Sequence, residues 1–315
     1  MKSLACALAA ALVSCSAHAQ QGTIRILVGF PAGASLDAMT RMVAEKMQIS
    51  LGQSVIVENR TGAAGQIAMA ALKSSPADGS VLVMTPLVTV VTAPHIQKLP
   101  YDPFKDFMPV AHAANFLFSF AMGPATPAKD LKTYVGLAKK DPKYANYASA
   151  ATGSLPHFFS LLFAQKAGLK LNHIGYRGTA NAMTDLLGGQ IAAFMGTVAD
   201  VAPQHNAGKI VAVATSGATR SKHLPDVPTF KELGYNIEGG GWYAAYAPKG
   251  TPPAVVARLS QAIIAALNEP DVRQRLDNYG MEATGYGPTG LAAIHKRDYN
   301  QWGPVIKASG FKPGS

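Results

Sequence analysis

The sequence predicts an α/β protein folded as two lobes. Three observations carry that prediction. Short β-branched runs alternate with stretches of helical spacing, the signature of a mainly parallel sheet. These units fall into two sets, parted by a proline-rich loop (Pro94, Pro100, Pro103, Pro109) and followed by a loop stretch over 221–241. The chain has 315 residues, enough for two ordinary domains with well-buried cores, and no fixed-period repeat. The 30 Gly and 21 Pro are too few for a low-complexity or collagenous chain. No run of about 20 apolar residues spans a bilayer.

The first set opens with a strand over 23–28. A helix follows in which Leu36, Met39, Val43 and Met47 share one face, with Arg41 and Glu45 paired at i,i+4 on the other. A strand over 54–58, a short helix over 66–74 and a strand over 81–85 complete it. The second set has strands over 144–149, 171–176, 191–195 and 210–214, with helices over 154–167 and 179–187 between them. A strand over 242–247 leads into a long helix marked by Val255, Val256, Leu259, Ile263 and Leu267, which Asn268-Glu269-Pro270 stops.

The amino terminus is an export address. Lys2, an apolar run from Leu4 to Val13 and Ala17-His18-Ala19 form a signal peptide over 1–19, cleaved after Ala19. Leu12-Val13-Ser14-Cys15 offers an alternative, a lipobox that would anchor the chain through Cys15. The two cysteines, Cys6 and Cys15, both precede the cleavage point, so the body uses no disulfide and no thiolate chemistry. The formal charge of +10 falls to +9 when Lys2 leaves. The basic residues are scattered and not interleaved with aromatics, which argues against nucleic acid as a partner.

Common catalytic signatures are missing. There is no phosphate-binding G-x-x-x-x-G-K-[ST] and no H-E-x-x-H, and the eight histidines show no ligand spacing on one element, so no cofactor or metal is expected. Gly33-Ala34-Ser35-Leu36-Asp37 departs from the nucleophile elbow at Asp37. What the chain has instead is loops that lead from strand ends into helix starts, where unpaired N–H groups and the helix dipole attract anions. One is Phe30-Pro31-Ala32-Gly33-Ala34-Ser35-Leu36-Asp37; another is Asn59-Arg60-Thr61-Gly62-Ala63-Ala64-Gly65. The third is Ser149-Ala150-Ala151-Thr152-Gly153-Ser154-Leu155-Pro156-His157, with Ser154 as N-cap.

Tyr176 and Arg177 add a fixed charge at a strand end, and Thr85 closes the third strand. The candidate ligand-binding residues are therefore Phe30, Gly33, Ala34, Ser35, Asp37, Thr85, Ser149, Ala150, Thr152, Gly153, Ser154, His157, Tyr176 and Arg177, around a pocket for carboxylates. Each has a structural reading as well. Asp37 suits a loop brace, His157 a packed histidine, Trp242 and Tyr243 braces for the crossing strand, and Arg177 a partner for Asp185 or Asp200.

A set of short motifs in fixed order then resembles a known family. They are Val28-Gly29-Phe30-Pro31-Ala32-Gly33 with Asp37 and Arg41, Val57-Glu58-Asn59-Arg60, and the run from Tyr101-Asp102-Pro103-Phe104 to Pro109-Val110. Gly153-Ser154 with His157, Tyr176-Arg177-Gly178, Asp185-Leu186-Leu187-Gly188-Gly189-Gln190 and Leu224-Pro225-Asp226-Val227-Pro228-Thr229 continue the series. From about Ile24 to the end, the chain resembles the Bug-type periplasmic receptors, the substrate-binding components of tripartite tricarboxylate transporters.

The resemblance implies a two-lobe, type II periplasmic-binding-protein-like fold with a ligand cleft between lobes. Lobe 1 would combine 20–120 with 241–315 and lobe 2 would be 121–240. It implies a non-enzymatic monomer in the periplasm that binds a di- or tricarboxylate or an aromatic carboxylate, largely through main-chain amides, hydroxyls and waters. Its partners would be the permease subunits of such a transporter, or a membrane sensor that reads the closed form. A periplasmic hydrolase on the same scaffold would need a serine activated by a base, and no such pair is evident. Ala34 stands where relatives carry glycine, which would strain a positive φ, and the aromatic stretch Asn115–Phe120 leans toward a less polar ligand.

Overall fold

The computed structural model describes residues 22–176 and 178–311. In chain order its elements are β1 (Ile24–Val28), α1 (Ser35–Leu51), β2 (Val55–Asn59), α2 (Gln66–Lys73), β3 (Val81–Pro86), α3 (Ala93–Ile96) and β4 (Phe107–Phe116). Next come β5 (Phe118–Met122), α4 (Leu131–Lys140), β6 (Asn146–Ser149), α5 (Leu155–Ala167), β7 (Asn172–Gly175), α6 (Thr179–Leu187), β8 (Ala193–Thr197), α7 (Val198–Asn206) and β9 (Val211–Thr215). The chain closes with β10 (Gly241–Pro248), α8 (Pro253–Asn268), α9 (Pro270–Asn278), β11 (Met281–Tyr286) and α10 (Pro288–Ala308).

Two sheets result, in the orders β11-β4-β10-β3-β1-β2 and β7-β6-β8-β5-β9. The expectation of a mainly parallel sheet is corrected: five of the nine strand pairs are antiparallel. Only the β1–β2–β3 and β6–β7–β8 units, joined by helices, pair in parallel. The chain leaves the first sheet along β4 and enters the second along β5 with Leu117 alone between them, then returns along β10. Strands that leave and re-enter in this way lie antiparallel to their neighbours.

The expected proline-rich loop is also corrected at its end, because Pro109 lies inside β4. It sits opposite Tyr246 beside a register shift, where a residue without an N–H is tolerated. The helix expected to start at Ser154 starts at Leu155, with Ser154 as its N-cap.

The face of α1 formed by Leu36, Met39, Val43 and Met47 is buried, as its spacing predicts. Arg41 pairs with Asp37 rather than Glu45. One apolar core runs through both lobes: Phe118 and Phe159 of the second meet Trp242 and Trp302 of the first. The Phe159 and Trp302 ring centroids are 4.9 Å apart. Trp242 braces its crossing strand as expected, its indole N–H donating to Asp298 Oδ2 at 2.8 Å.

Candidate ligand cleft

In both sheets the glycine-bearing loops lie to one side of the crossing strands. Loop 30–37 follows β1 and loop 150–154 follows β6, and each opens onto a helix start. Gly33 at φ +82° and Gly153 at φ +75° turn these loops in the left-handed region that glycine alone adopts freely.

Asp37 organises the first loop. Its carboxylate accepts from the Gly33 N–H at 2.9 Å, the Arg41 Nε at 3.0 Å and the Asn59 Nδ2 at 2.8 Å, and Asn59 also donates to the Phe30 carbonyl. Burial opposes the charge, but these donors hold the carboxyl below the usual range. Ala34 is extended, at φ −71° and ψ 161°, so the strain expected from the missing glycine does not arise. No side chain caps α1, which leaves its first-turn N–H groups without that partner. Ser35 Oγ lies 3.0 Å from the Tyr243 hydroxyl. Thr85 is buried, its hydroxyl 2.7 Å from that of Thr89.

Loop 59–65 packs beneath the first. Its Ala63 and Ala64 have φ of +46° and +51°, a rare conformation for residues bearing a Cβ.

The second-lobe loop rests on two histidines. Gly153 donates its N–H to His157 Nδ1 at 3.0 Å, and His157 stacks on His173 with centroids 3.9 Å apart and planes 14° from parallel. Burial pushes both imidazoles down to about 4. Ser149 Oγ lies 2.8 Å from His173 Nε2 and 3.1 Å from the Ala151 carbonyl. A hydroxyl carries one proton. Given to Ala151, it leaves Oγ to accept from His173 Nε2–H, so the pair is a strut for the loop rather than a serine with its base. Ser154 Oγ donates to the same carbonyl at 2.6 Å. Phe311, beyond the end of α10, packs edge-on to His157 at 5.5 Å and so brings the first-lobe helix onto this loop.

Thr152 is exposed at the tip, and Ala150 accepts from the Gly178 N–H at 2.9 Å. The Tyr176 hydroxyl turns away to Asp185 Oδ2 at 2.6 Å, and burial with that partner pushes it up to about 12. Arg177 lies outside the described residues, as does the segment 1–19 expected to be a signal peptide.

Sequence reasoning passed over the role of Asp200. Its carboxylate Oδ2 accepts from Thr197 at 2.7 Å and from Thr179 at 3.3 Å. The spacing Thr197-x-x-Asp200 is a helix-start signal that was legible.

A cavity of about 760 Å³ lies where the strands cross, lined by Leu117, Gly240, Trp242, Asp277 and Trp302 among others. There Asp277 of α9 accepts from Lys222 at 2.6 Å and from His223 at 2.9 Å, tying the lobes together. Among the described residues no group of three His, Cys, Asp or Glu is placed to hold a metal. Likewise no described helix is long and apolar enough to cross a membrane.

This architecture, two sheets joined by a double crossing, matches known proteins along nearly the whole chain. The model of the tripartite tricarboxylate transporter family receptor matches residues 39–311. The chain belongs to that family. The receptor is 32% identical to protein BugT of Bordetella pertussis over 92% of its own length and 90% of the relative's. Among solved structures, the periplasmic binding protein BugD is 31% identical with a TM-score of 0.79, covering 93% of this chain and 99% of that one. MatC from Rhodopseudomonas palustris, with bound malate, is 29% identical with a TM-score of 0.78 over 91% and 99%. Rpa4515 of R. palustris, with adipate, is 26% identical with a TM-score of 0.81 over 92% and 98%. The receptor thus has the two-lobe fold of this family, and its family function is solute binding.

Proposed function

We propose that this receptor works in the periplasm, captures a small di- or tricarboxylate or aromatic carboxylate between its lobes, and delivers it to the permease subunits of a tripartite tricarboxylate-type transporter. One observation carries the reading. A loop from each lobe, turned at Gly33 and at Gly153, leads from a strand end into a helix start. Two such starts suit the two ends of a short diacid. Malate and adipate in the related structures are such acids. Lobe closure then follows from tighter binding to the closed form than to the open one.

A thermal-shift panel on the mature chain, refolded to strip carried-over ligand, tests this. The panel holds mono-, di- and tricarboxylates, aromatic acids and neutral sugars. A ligand at about 100 times its Kd adds about 2.7 kcal/mol, a shift of several degrees. A selective shift with one class of acid supports the reading; a shift with a neutral sugar and none with any acid refutes it.

A further inference from the structure

The basic residues look scattered along the sequence, but folding gathers seven lysines around two neighbouring helices of the second lobe. Residues 121–170 hold seven Lys and two Asp, with neither Arg nor Glu, a charge of +5 that is half of the chain's formal +10. Lys129, Lys132, Lys139, Lys140 and Lys143 lie in or beside α4, and Lys166 and Lys170 flank the end of α5. The two helices meet there: a Cβ on Gly168, the C-cap of α5, would lie 3.9 Å from Lys139 Nζ. All seven lysines are exposed. Among the described residues Lys143 alone of the seven joins an ion pair, with Asp141 at 3.2 Å. Both aspartates are turned to backbone donors, Asp130 to the Thr133 N–H at 2.8 Å and Asp141 to the Lys143 N–H at 3.0 Å. A face with so little counter-charge attracts anions within about a Debye length, ~8 Å at physiological salt.

The composition of the face decides what it meets. A protein partner would be held by aromatic, Met or Arg anchors, since Lys is depleted at the centre of protein interfaces. A single bound anion would call for the planar fork of Arg. None of the exposed large hydrophobic side chains of the described residues lies in 121–170, so no apolar wedge is present to enter a bilayer core. The helix α4 buries Leu131 and Tyr134 and leaves Lys132, Gly136, Lys139 and Lys140 exposed, and a Cβ at Gly136 would meet nothing within 4 Å. The result is an unobstructed row of compact point charges, which suits a plane of anionic headgroups. We propose that the lysine face formed by α4 and the end of α5 is a docking surface for an anionic phospholipid membrane, holding the receptor beside the bilayer through headgroup contact alone. The inference goes beyond the carboxylate reading and needs no bound acid.

Co-sedimentation of the untagged mature receptor with vesicles, in the absence of any acid ligand, tests it. Phosphatidylcholine vesicles with about 40% phosphatidylglycerol are expected to bind the receptor and pure phosphatidylcholine vesicles to leave it in solution. Binding should weaken at least about 10-fold from about 50 to about 200 mM NaCl. The triple variant Lys132→Glu, Lys139→Glu, Lys140→Glu should lose at least about 10-fold. A control with the same change in net charge, Lys249→Glu, Arg258→Glu, Lys296→Glu, alters three exposed first-lobe residues and should lose less than about 3-fold. No binding to the anionic vesicles at low salt, or equal binding to the neutral ones, overturns the proposal. So do equal losses from the two triple variants, which would show that net charge alone acts. Should the first triple variant fail to fold, Lys132→Gln, Lys139→Gln, Lys140→Gln decides, with an expected loss of at least about 3-fold. Every one of these outcomes leaves the carboxylate reading untouched.

Discussion

Two stacked imidazoles, His157 buried and His173 half-buried, hold the second-lobe loop only while neutral. Protonating His157 at Nδ1 removes the acceptor for the Gly153 N–H and sets a charge 3.9 Å from the His173 ring. Both groups are depressed from 6.5 to about 4, so between those values the unfolded chain binds more protons than the folded one. Their contribution is complete above about pH 6.5 and is lost as pH falls toward 4. Thermal midpoints measured from pH 7.5 to 4 should drop steeply across that window, and His157→Gln should flatten the slope. Asp37 behaves as a brace on the same scale. Asp37→Ala strands the donors of Gly33, Asn59 and Arg41, and denaturant titration should show a loss of about 1–3 kcal/mol with weaker ligand binding.

Loops hold their shape through close contact between neighbouring elements. A Cβ at Gly29, at the end of β1, would lie 2.6 Å from the Gly65 Cα at the start of α2. Backbone cannot swing aside as a side chain can, so Gly29→Ala should cost about 1–3 kcal/mol and shift loop 59–65 beneath the cleft. Equilibrium unfolding and a structure of the variant check it; an unchanged stability would show that the two loops are not tightly packed. The paired left-handed residues Ala63 and Ala64 lie on this same segment, so its strain is held in place by that packing.

Over the whole molecule, the lobes are joined by strands that cross at Leu117 and return at β10, and Asp277 of the first lobe clasps Lys222 and His223 of the second. Lobe closure is expected to draw Lys222 and His223 away from Asp277. Asp277→Asn weakens the clasp and should therefore tighten ligand binding, by up to about 5-fold for an ion pair this exposed. Titration with the best acid of the thermal panel measures it, and weaker binding would mean that the clasp favours closure.

Much of this was written locally. The strand and helix patterns around β1, α1, β3, α5 and α8, the Ser154 cap and the glycine turns at 33 and 153 follow from spacing and backbone chemistry, which act within a few residues. The aromatic and proline-rich run carries no strand signal for β4 and β5, because burial on both faces erases the alternation and Pro109 survives only at a register shift with β10. Partners far apart in the chain were settled only by tertiary structure. Asp37 finds Asn59, Ser35 finds Tyr243, His157 finds His173, and Asp277 finds Lys222 across the hinge. The sequence by itself determined the α/β class, the two sets of units and the glycine-turned loops before the helix starts, since periodicity and helix-start chemistry are local. Which side chains brace which loops was decided by the tertiary fold, because only folding brings residues 22 to 208 positions apart within hydrogen-bonding reach.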